Sequence, residues 1–352
     1  MSFCDGYAAM NLEFTDRVPR TEYSADTNWE LVSAITGRNV GPHSPEEEKS
    51  QASRAFKEKW NYDFVWNILV HNQYLTGKKT SMGHANYASE NTDFIDDRHE
   101  AFKDPEEVLK CDPFELYGTV DKDKMIREFD DNFDMQNNAY GDCVNMTGIY
   151  ITCISGLIEM LGWDMLLTAA GTDPLAFGRF TDRYCRWIQQ HFDALARCKS
   201  PVVMIHDDIV WTEGAFIHPD WYRKFVFPNY KKLFAPLIEA GKKILYTSDG
   251  TYTDFIDDIA ACGVNGFVME PTTDMALVAE KYGKTHCFIG NADTRILLYG
   301  TKDDIYKEVK RCMDIGKKYP GFFMAVGNHI PSNTPVKNAV FYNEVYEELG
   351  RR

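Results

Sequence analysis

The residue types best suited to binding a metal ion or moving a proton stand just beyond short apolar runs. Asp208, Asp249, Glu270, Asp293 and His329 all have this placement. One imidazole with two carboxylates suits Zn²⁺, because this ion accepts nitrogen and oxygen ligands and can keep a fourth position open for a reactant. Five such groups are more than helix capping requires, so we interpret them as parts of one site.

Each of these residues also has a plain structural interpretation. An acidic residue after a strand often caps the next helix, and a single histidine is often a hydrogen-bonded core residue. Asp207 and Asp208 are neighbours, so on a strand they point to opposite faces and only one is expected at the site. Gly250 after Asp249 indicates a tight turn. The run 290–293 lacks the further glycines of a phosphate-binding loop, which argues against nucleotide binding.

A repeated unit of strand, polar tip and helix carries these residues. The apolar runs predict strands buried on both faces, and helical patterns follow them at intervals of roughly 20–40 residues. This alternation indicates a parallel α/β sheet whose strand tips would converge at one end of a barrel. We predict an N-terminal extension over residues 1–55 and a (β/α)8-barrel catalytic domain over residues 56–352. The predicted strands are Val202–Ile205, Lys243–Tyr246, Gly266–Met269, His286–Ile289 and Phe322–Val326.

Charge and composition narrow the classes of partner. The net charge of -15 argues against nucleic acid and anionic membranes, both of which need a cationic surface. The N-terminal residues form no basic and apolar leader, and no apolar run is long enough to span a bilayer. The nine cysteines are scattered singly, without a C-x-x-C pair. We predict a cytoplasmic protein with reduced thiols that binds neither nucleic acid nor membrane.

Aromatic residues are abundant, and several stand near predicted strand ends. Most of them are expected in the core. A subset that faces the site could stack on a flat, apolar substrate. The aromatic residues near strand ends are Trp66, Tyr74, Tyr87, Tyr150, Trp211 and Tyr246.

Four sequence segments from about Pro201 to Leu349 carry a family resemblance. They contain IHDDIVWTEG, KKILYTSDG, GNADTR and VGNHIP, and the N-terminal TDRVP is also typical. With these motifs the chain resembles the uroporphyrinogen decarboxylase superfamily. The resemblance implies a TIM barrel of the uroporphyrinogen decarboxylase type.

The superfamily contains two main activities. Decarboxylation of uroporphyrinogen itself uses an arginine-rich N-terminal loop of the form R-Q-A-G-R, because the substrate carries several carboxylates. Here only Arg17 and Arg20 occur in that region, which argues against a porphyrin substrate. The second activity is methyl transfer to or from a corrinoid that is carried on a separate protein, with zinc as the Lewis acid.

The zinc ligands of the superfamily's coenzyme M methyltransferases are changed in this chain. Their His-x-Cys position reads Tyr246-Thr247-Ser248-Asp249, and their late cysteine falls at or beside Asn328-His329. The resemblance is greater to enzymes that remove methyl groups from methoxylated aromatics. The resemblance is compatible with a zinc site of oxygen and imidazole ligands built from Asp249, Glu270 and His329, with Asp293 as the reserve ligand.

The resemblance therefore implies a methyltransferase that demethylates an aromatic methyl ether and passes the methyl group to the cobalt (cobalamin) of a partner corrinoid protein. Asp208 is the expected proton donor or acceptor, and Asp207, Tyr246 and Asn291 are the other candidate catalytic residues. One alternative is a decarboxylase of the same type that acts on a smaller acid without metal, with Asp208 or Asp249 stabilising a protonated intermediate. Another is a non-catalytic protein that binds a corrinoid protein.

Overall fold

The computed structural model describes residues 1–80 and 101–352. Contacts divide the chain into two compact units. The first unit comprises Met1–Trp66, Met135–Asn145 and Gly266–Arg352. The second unit comprises Asn67–Asp134 and Met146–Asn265.

The described residues form alternating strands and helices. The strands are β1 (Phe64–Val65), β2 (Val144–Asn145), β3 (Thr147–Ile149), β4 (Val202–His206), β5 (Val210–Trp211), β6 (Gly214–Ala215), β7 (Lys243–Ser248), β8 (Gly266–Met269), β9 (Cys287–Ala292) and β10 (Phe322–Val326). The helices are α1 (Phe3–Met10), α2 (Trp29–Thr36), α3 (Glu46–Lys59), α4 (Pro105–Lys110), α5 (Pro113–Tyr117), α6 (Lys122–Tyr140), α7 (Ile154–Leu161), α8 (Trp163–Thr172), α9 (Pro174–Arg197), α10 (Pro219–Phe225), α11 (Phe227–Glu239), α12 (Ile256–Ala260), α13 (Met275–Tyr282), α14 (Thr294–Tyr299), α15 (Lys302–Gly316) and α16 (Val336–Leu349). Short 3₁₀ helices lie at Ala25–Thr27, Asn72–Tyr74 and Thr253–Phe255.

The second unit contains the parallel strands β3, β4 and β7 in that order. Every residue of β4 is buried, as expected for an apolar strand covered on both faces. Ile149 is opposite Ile205 in the β3–β4 pair, and Ile205 is opposite Tyr246 in the β4–β7 pair. A short antiparallel hairpin, β5 paired with β6, follows β4. The register fixes which residues leave the sheet side by side at its carboxyl end.

The helix α9 shows how local sequence sets the helices of the second unit. Asp173 accepts hydrogen bonds from the backbone N–H groups of Leu175 and Ala176, and Pro174 is the first helical residue. An acidic N-cap followed by proline is a strong helix start, since proline needs no hydrogen-bond acceptor there. The helix α9 packs against α11.

The first unit contains the parallel strands β8, β9 and β10 in that order, and β1 pairs with β2. Phe267 is opposite Phe288 in one pair, and Phe288 is opposite Phe322 in the next. Large apolar side chains in register fill the core on that face. All five strands predicted from the sequence are therefore present, as β4, β7, β8, β9 and β10. The predicted boundary between residues 55 and 56 stays a prediction.

Among the helices of residues 1–80 and 101–352, we find none with the length and apolar character needed to cross a membrane.

A buried ion pair in the N-terminal segment of the first unit is hydrogen-bonded to the C-terminal part of that unit. The side chains of Arg20 and Glu22 are both 0% exposed, and their charged groups are 3.1 Å apart. Glu22 also accepts hydrogen bonds from the Val326 backbone N–H (3.0 Å) and the Tyr342 hydroxyl (2.7 Å). The Arg20 guanidinium lies 4.3 Å from the Trp60 ring centroid. Removal of either charge would leave the other buried without its ionic partner.

Glu22→Ala should lower the free energy of unfolding by about 3–5 kcal/mol, because it leaves the buried Arg20 charge without its ionic partner. The measurement is equilibrium denaturation in urea. Glu58→Ala is the control, since Glu58 forms an exposed pair with Arg54 at 3.1 Å and should cost less than about 1 kcal/mol. Equal losses in the two variants would contradict the role given to burial.

His191 is a completely buried histidine of the second unit, in contact with the rings of Tyr74 and Trp187. Burial lowers the pKa of His191 to about 4. Between this value and the ordinary histidine pKa of about 6.5, the unfolded chain binds a proton that the folded chain does not, so stability rises with pH across that window.

His191→Phe should remove this contribution and flatten the pH dependence of the unfolding free energy. The expected difference in slope from wild type is up to about 1.4 kcal/mol per pH unit between about pH 4 and 6.5. Urea denaturation at a series of pH values provides the measurement. Parallel curves for wild type and variant across this window would show that His191 does not titrate as its burial requires.

Candidate metal centre

Three potential metal ligands lie together in the second unit: His206, Asp208 and Asp249. Each offers one ligand atom, and these atoms all lie within 4.8 Å of one another. His206 is buried, Asp208 is half-buried and Asp249 is exposed. In the part of the chain that the structure describes, this is the one group of three or more histidine, cysteine or acidic side chains with such spacing.

The pairing of β4 with β7 brings the three ligands together. His206 ends β4 and is opposite Thr247, so Asp208 and Asp249 follow neighbouring strand ends. The Asp208 Oδ1 atom accepts a hydrogen bond from the Asp249 backbone N–H at 2.8 Å and lies 3.3 Å from His206 Nε2. The Asp208 carboxylate therefore links the ends of the two strands.

The tight turn after β7 holds Asp249 in place. Gly250 has a φ of +79°, and a Cβ atom there would lie 2.5 Å from the Trp211 carbonyl oxygen. The same carbonyl accepts a hydrogen bond from the Thr251 backbone N–H at 3.1 Å. Glycine is required at this position both by the positive φ and by the close approach of the β5–β6 hairpin.

The protonation state of His206 suits a metal ligand. Burial and, to a smaller extent, the nearby His71 together lower the pKa of His206 to about 3. The imidazole is therefore neutral at physiological pH, which leaves a ring nitrogen able to bind a metal. One neutral imidazole and two carboxylates match the nitrogen and oxygen ligands that zinc accepts. The residues present fit a divalent metal ion.

Asp207 points away from this group and is completely buried. Its carboxylate accepts hydrogen bonds from the backbone N–H groups of Ser155 (2.7 Å) and Cys153 (3.2 Å) and from the Tyr230 hydroxyl. Burial raises the pKa of Asp207 to about 6. Asp207 thus fastens the end of β4 to the start of α7.

Two other candidate catalytic residues also make structural contacts. Tyr246 is fully buried, and its hydroxyl donates to the Asp207 carbonyl oxygen at 3.0 Å. In the first unit, the Asn291 side chain donates to the carbonyl oxygens of Glu270 (3.2 Å) and Thr273 (3.1 Å). Its Oδ1 atom accepts from Arg311 at 3.0 Å. These contacts support the strand ends from within, and a catalytic role for either residue stays a prediction.

The remaining ligands expected from the sequence lie in the first unit. Glu270 accepts a hydrogen bond from the Asn328 side chain at 2.5 Å, and His329 Nδ1 lies 2.7 Å from the Ser24 hydroxyl. Asp293 caps α14 and pairs with Arg295 at 2.7 Å. Although burial alone would raise the pKa of Asp293, the hydrogen bonds from Arg295 lower it.

Within the described residues, Glu270, His329 and Asp293 belong to no group of three ligand atoms within 4.8 Å. Asp249 is the one residue that the expected ligand set shares with the group observed in the structure. The expected set of Asp249, Glu270, His329 and Asp293 stays a prediction.

Aromatic rings stand beside the metal-ligand group. The Tyr150 ring, directly after β3, is 4.5 Å from the His206 ring, and the His71 ring stacks on Tyr150 at 4.7 Å. On the β5–β6 hairpin, Trp211 is 48% exposed and contacts Trp163 and Phe216.

The other aromatic residues considered from the sequence are placed differently. The Tyr74 hydroxyl donates to Glu128 at 2.9 Å, whereas Trp66 packs against Phe64 and Tyr23 in the first unit. Tyr87 lies outside the described residues. Among the five of these aromatic residues that the structure describes, Tyr150 has a ring in contact with the metal-ligand group, through His206.

His206 is the functional candidate that sequence reasoning missed. The signal was present in the sequence, because side chains two residues apart on a strand point to the same face. His206 and Asp208 have that spacing, whereas Asp207 between them points the other way. What the spacing did not reveal is which residue of another strand completes the group.

The family model described as uroporphyrinogen decarboxylase (URO-D) matches residues 115–349. The chain belongs to this family. Among curated relatives, the uroporphyrinogen decarboxylase of Geobacter metallireducens is 24% identical over 179 residues, which cover 51% of each chain. That of Carboxydothermus hydrogenoformans is 26% identical over 172 residues, covering 49% of this chain and 46% of the relative. The matched region spans about half the length of these curated relatives.

A solved structure of a methyltransferase from Methanosarcina mazei has a TM-score of 0.66 with this chain at 17% sequence identity. The likeness covers 97% of this chain and 96% of the methyltransferase, and it shows a shared fold. Together with the family match, it confirms the predicted fold class, an α/β TIM barrel of the uroporphyrinogen decarboxylase type.

His206→Ala should abolish stoichiometric zinc binding, because it removes the nitrogen ligand of the group, while His329→Ala should retain it. Metal content after dialysis against limiting zinc, measured by inductively coupled plasma mass spectrometry, provides the comparison. Circular dichroism confirms that both variants are folded.

Glu270→Ala and Asp293→Ala extend this comparison and should also retain zinc. Loss of zinc in His329→Ala together with full retention in His206→Ala would instead favour the ligand set expected from the sequence. Asp208→Asn separates the two roles considered for Asp208. Weakened zinc binding indicates a ligand, whereas intact binding with a lower rate indicates proton transfer.

Proposed function

We propose that this protein is a zinc-dependent methyltransferase that demethylates a methoxylated aromatic compound and passes the methyl group to the cobalt of a separate corrinoid protein. The observation that carries the proposal is the group of His206, Asp208 and Asp249 at neighbouring strand ends. The metal-free decarboxylase alternative uses Asp208 or Asp249 alone and does not need three ligand atoms within 4.8 Å of one another.

The ligand types suit activation of an ether oxygen. A neutral imidazole and two carboxylates balance the two positive charges of a zinc ion without the strong electron donation of thiolates. A bound zinc ion would act as a Lewis acid and stabilise the negative charge that develops on the leaving phenolate oxygen. The exposure of Asp249 leaves the group accessible on one side.

The chain's own residues have three tasks in this proposal. The Asp208 carboxylate holds the His206 and Asp249 ends at a fixed separation through the contacts at 3.3 and 2.8 Å. The stacked rings of Tyr150 and His71 provide a flat surface beside His206 for an aromatic substrate. When the methyl group passes to reduced cobalt, the bonding electron pair remains on the ether oxygen, and a proton must finally neutralise the phenolate.

The state of the N-terminal arginines supports a substrate other than a porphyrin. Arg20 is fully buried in its pair with Glu22, and Arg17 contacts Asp63 at 2.5 Å. These arginines are already paired with carboxylates of the first unit, so neither is available to bind the carboxylates of a tetrapyrrole in the manner of the family's arginine-rich loop.

Similarity to proteins of known activity supports each of two candidates. The Methanosarcina mazei protein with this fold is a methyltransferase, which agrees with the proposal. The curated relatives are decarboxylases, which favours the alternative of a metal-free decarboxylase that acts on a smaller acid. The metal-ligand group supports methyl transfer over the decarboxylase alternative.

The purified protein should contain about one zinc ion per chain, since the group supplies three ligands for one ion. It should demethylate a methoxyarene such as 2-methoxyphenol only when a reduced corrinoid protein is added. Methylation of the cobalt should be stoichiometric, and the visible absorption of the corrinoid measures it. Oxidised corrinoid protein is the control, because only the reduced cobalt can accept the methyl group.

Demethylation by the isolated chain without a corrinoid protein would contradict the role of the partner. Release of CO₂ from a small carboxylic acid by zinc-free protein would establish the decarboxylase alternative.

A further inference from the structure

One residue outside the metal-ligand group contacts three consecutive residues at the end of β4. Ser155 lies in the first turn of α7 and is 2% exposed. Its Oγ atom accepts a hydrogen bond from the Asp208 backbone N–H at 2.7 Å and lies 3.5 Å from His206 Nδ1. Its own backbone N–H donates to Asp207 Oδ1 at 2.7 Å.

From these contacts, we infer that Ser155 is a positioning residue that orients His206 and Asp208 for metal binding. The inference rests on the proposed function, because it assumes that these two residues are ligands. It assigns a separate task to each polar group of Ser155. The backbone N–H holds Asp207 and so fixes the strand end, whereas the hydroxyl acts on the two ligands.

The hydroxyl is suited to selecting the histidine tautomer. His206 Nε2 is the ring atom near the Asp208 carboxylate, so Nε2 is the metal-binding nitrogen. Nδ1 must then carry the proton and needs an acceptor. The Ser155 oxygen has two lone pairs, one of which accepts from the Asp208 N–H, and the second is available to His206 Nδ1–H. A metal-binding histidine is commonly oriented by such a partner on its other nitrogen.

The distance of 3.5 Å between Ser155 Oγ and His206 Nδ1 is at the long limit for a hydrogen bond. Because Ser155 is buried, water competes little for either lone pair. The hydroxyl therefore raises the affinity for the metal by orienting His206 and Asp208 before the ion binds. It does not bind the ion itself.

Ser155→Ala removes the hydroxyl and leaves the backbone N–H that holds Asp207. We expect the variant to fold and to bind zinc about 10–100-fold more weakly, the range for loss of an outer partner of a metal ligand. Competition with a chromophoric chelator measures the affinity of the full chain. Binding of Co²⁺ gives a second measurement, since its visible absorption bands report the ligand geometry and should change.

Ser200→Ala is the matched control. Ser200 is also completely buried and donates one hydrogen bond, to the Val202 carbonyl oxygen at 2.8 Å, but it lies at the opposite end of β4. It should leave zinc affinity and the Co²⁺ spectrum unchanged. Ser155→Thr keeps the hydroxyl and should restore most of the affinity lost in Ser155→Ala, with thermal unfolding used to confirm that every variant is folded.

The outcomes separate this inference from the proposed function. A wild-type protein that binds no zinc refutes the proposed function and the positioning role together. A wild-type protein that binds zinc, with equal affinity in Ser155→Ala, overturns the role of Ser155 alone. Equal weakening in folded Ser155→Ala and Ser155→Thr also overturns it, because the hydroxyl would then not be the cause.

Discussion

The candidate site depends on the parallel pairing of β4 with β7. In this register His206 is opposite Thr247, so the chain leaves the two strands at neighbouring points. The pairing places Asp208 close enough to accept the Asp249 backbone N–H at 2.8 Å. Ligands that are about forty residues apart in the sequence become neighbours, because parallel strands in register emerge at the same edge of a sheet.

The adjacent residues Asp207 and Asp208 have different surroundings at the end of β4, and a catalytic role for either stays a prediction. Strand alternation sends Asp207 inward, where burial raises its pKa to about 6 and N–H and O–H donors stabilise its carboxylate. Asp208 points toward His206 and Asp249 instead. Loss of the hydrogen bonds to a buried carboxylate is costly, so Asp207 holds the neighbouring residues His206 and Asp208 in position.

Internal pairing also determines which charged residues of this chain are accessible. Charged residues that are paired inside the fold are not available to a substrate. Arg20 and Glu22 form a completely buried pair, and Asp293 is held by Arg295 at 2.7 Å. Residue type alone suggested metal ligation at Asp293, which stays a prediction, whereas the structure identifies the local partner of each of these charges.

The sequence by itself determined the secondary structure around the site and the family. The apolar runs predicted β4, β7, β8, β9 and β10, because continuous apolar strands are typical of buried parallel sheets. The motifs of the C-terminal half identified the family that the comparisons confirmed. Only the tertiary structure decided which polar strand ends share a site. Alternation along one strand relates His206 to Asp208, but the register between strands depends on side-chain packing over the whole sheet. For that reason the sequence named Asp249 as a candidate ligand without revealing that His206 stands beside it.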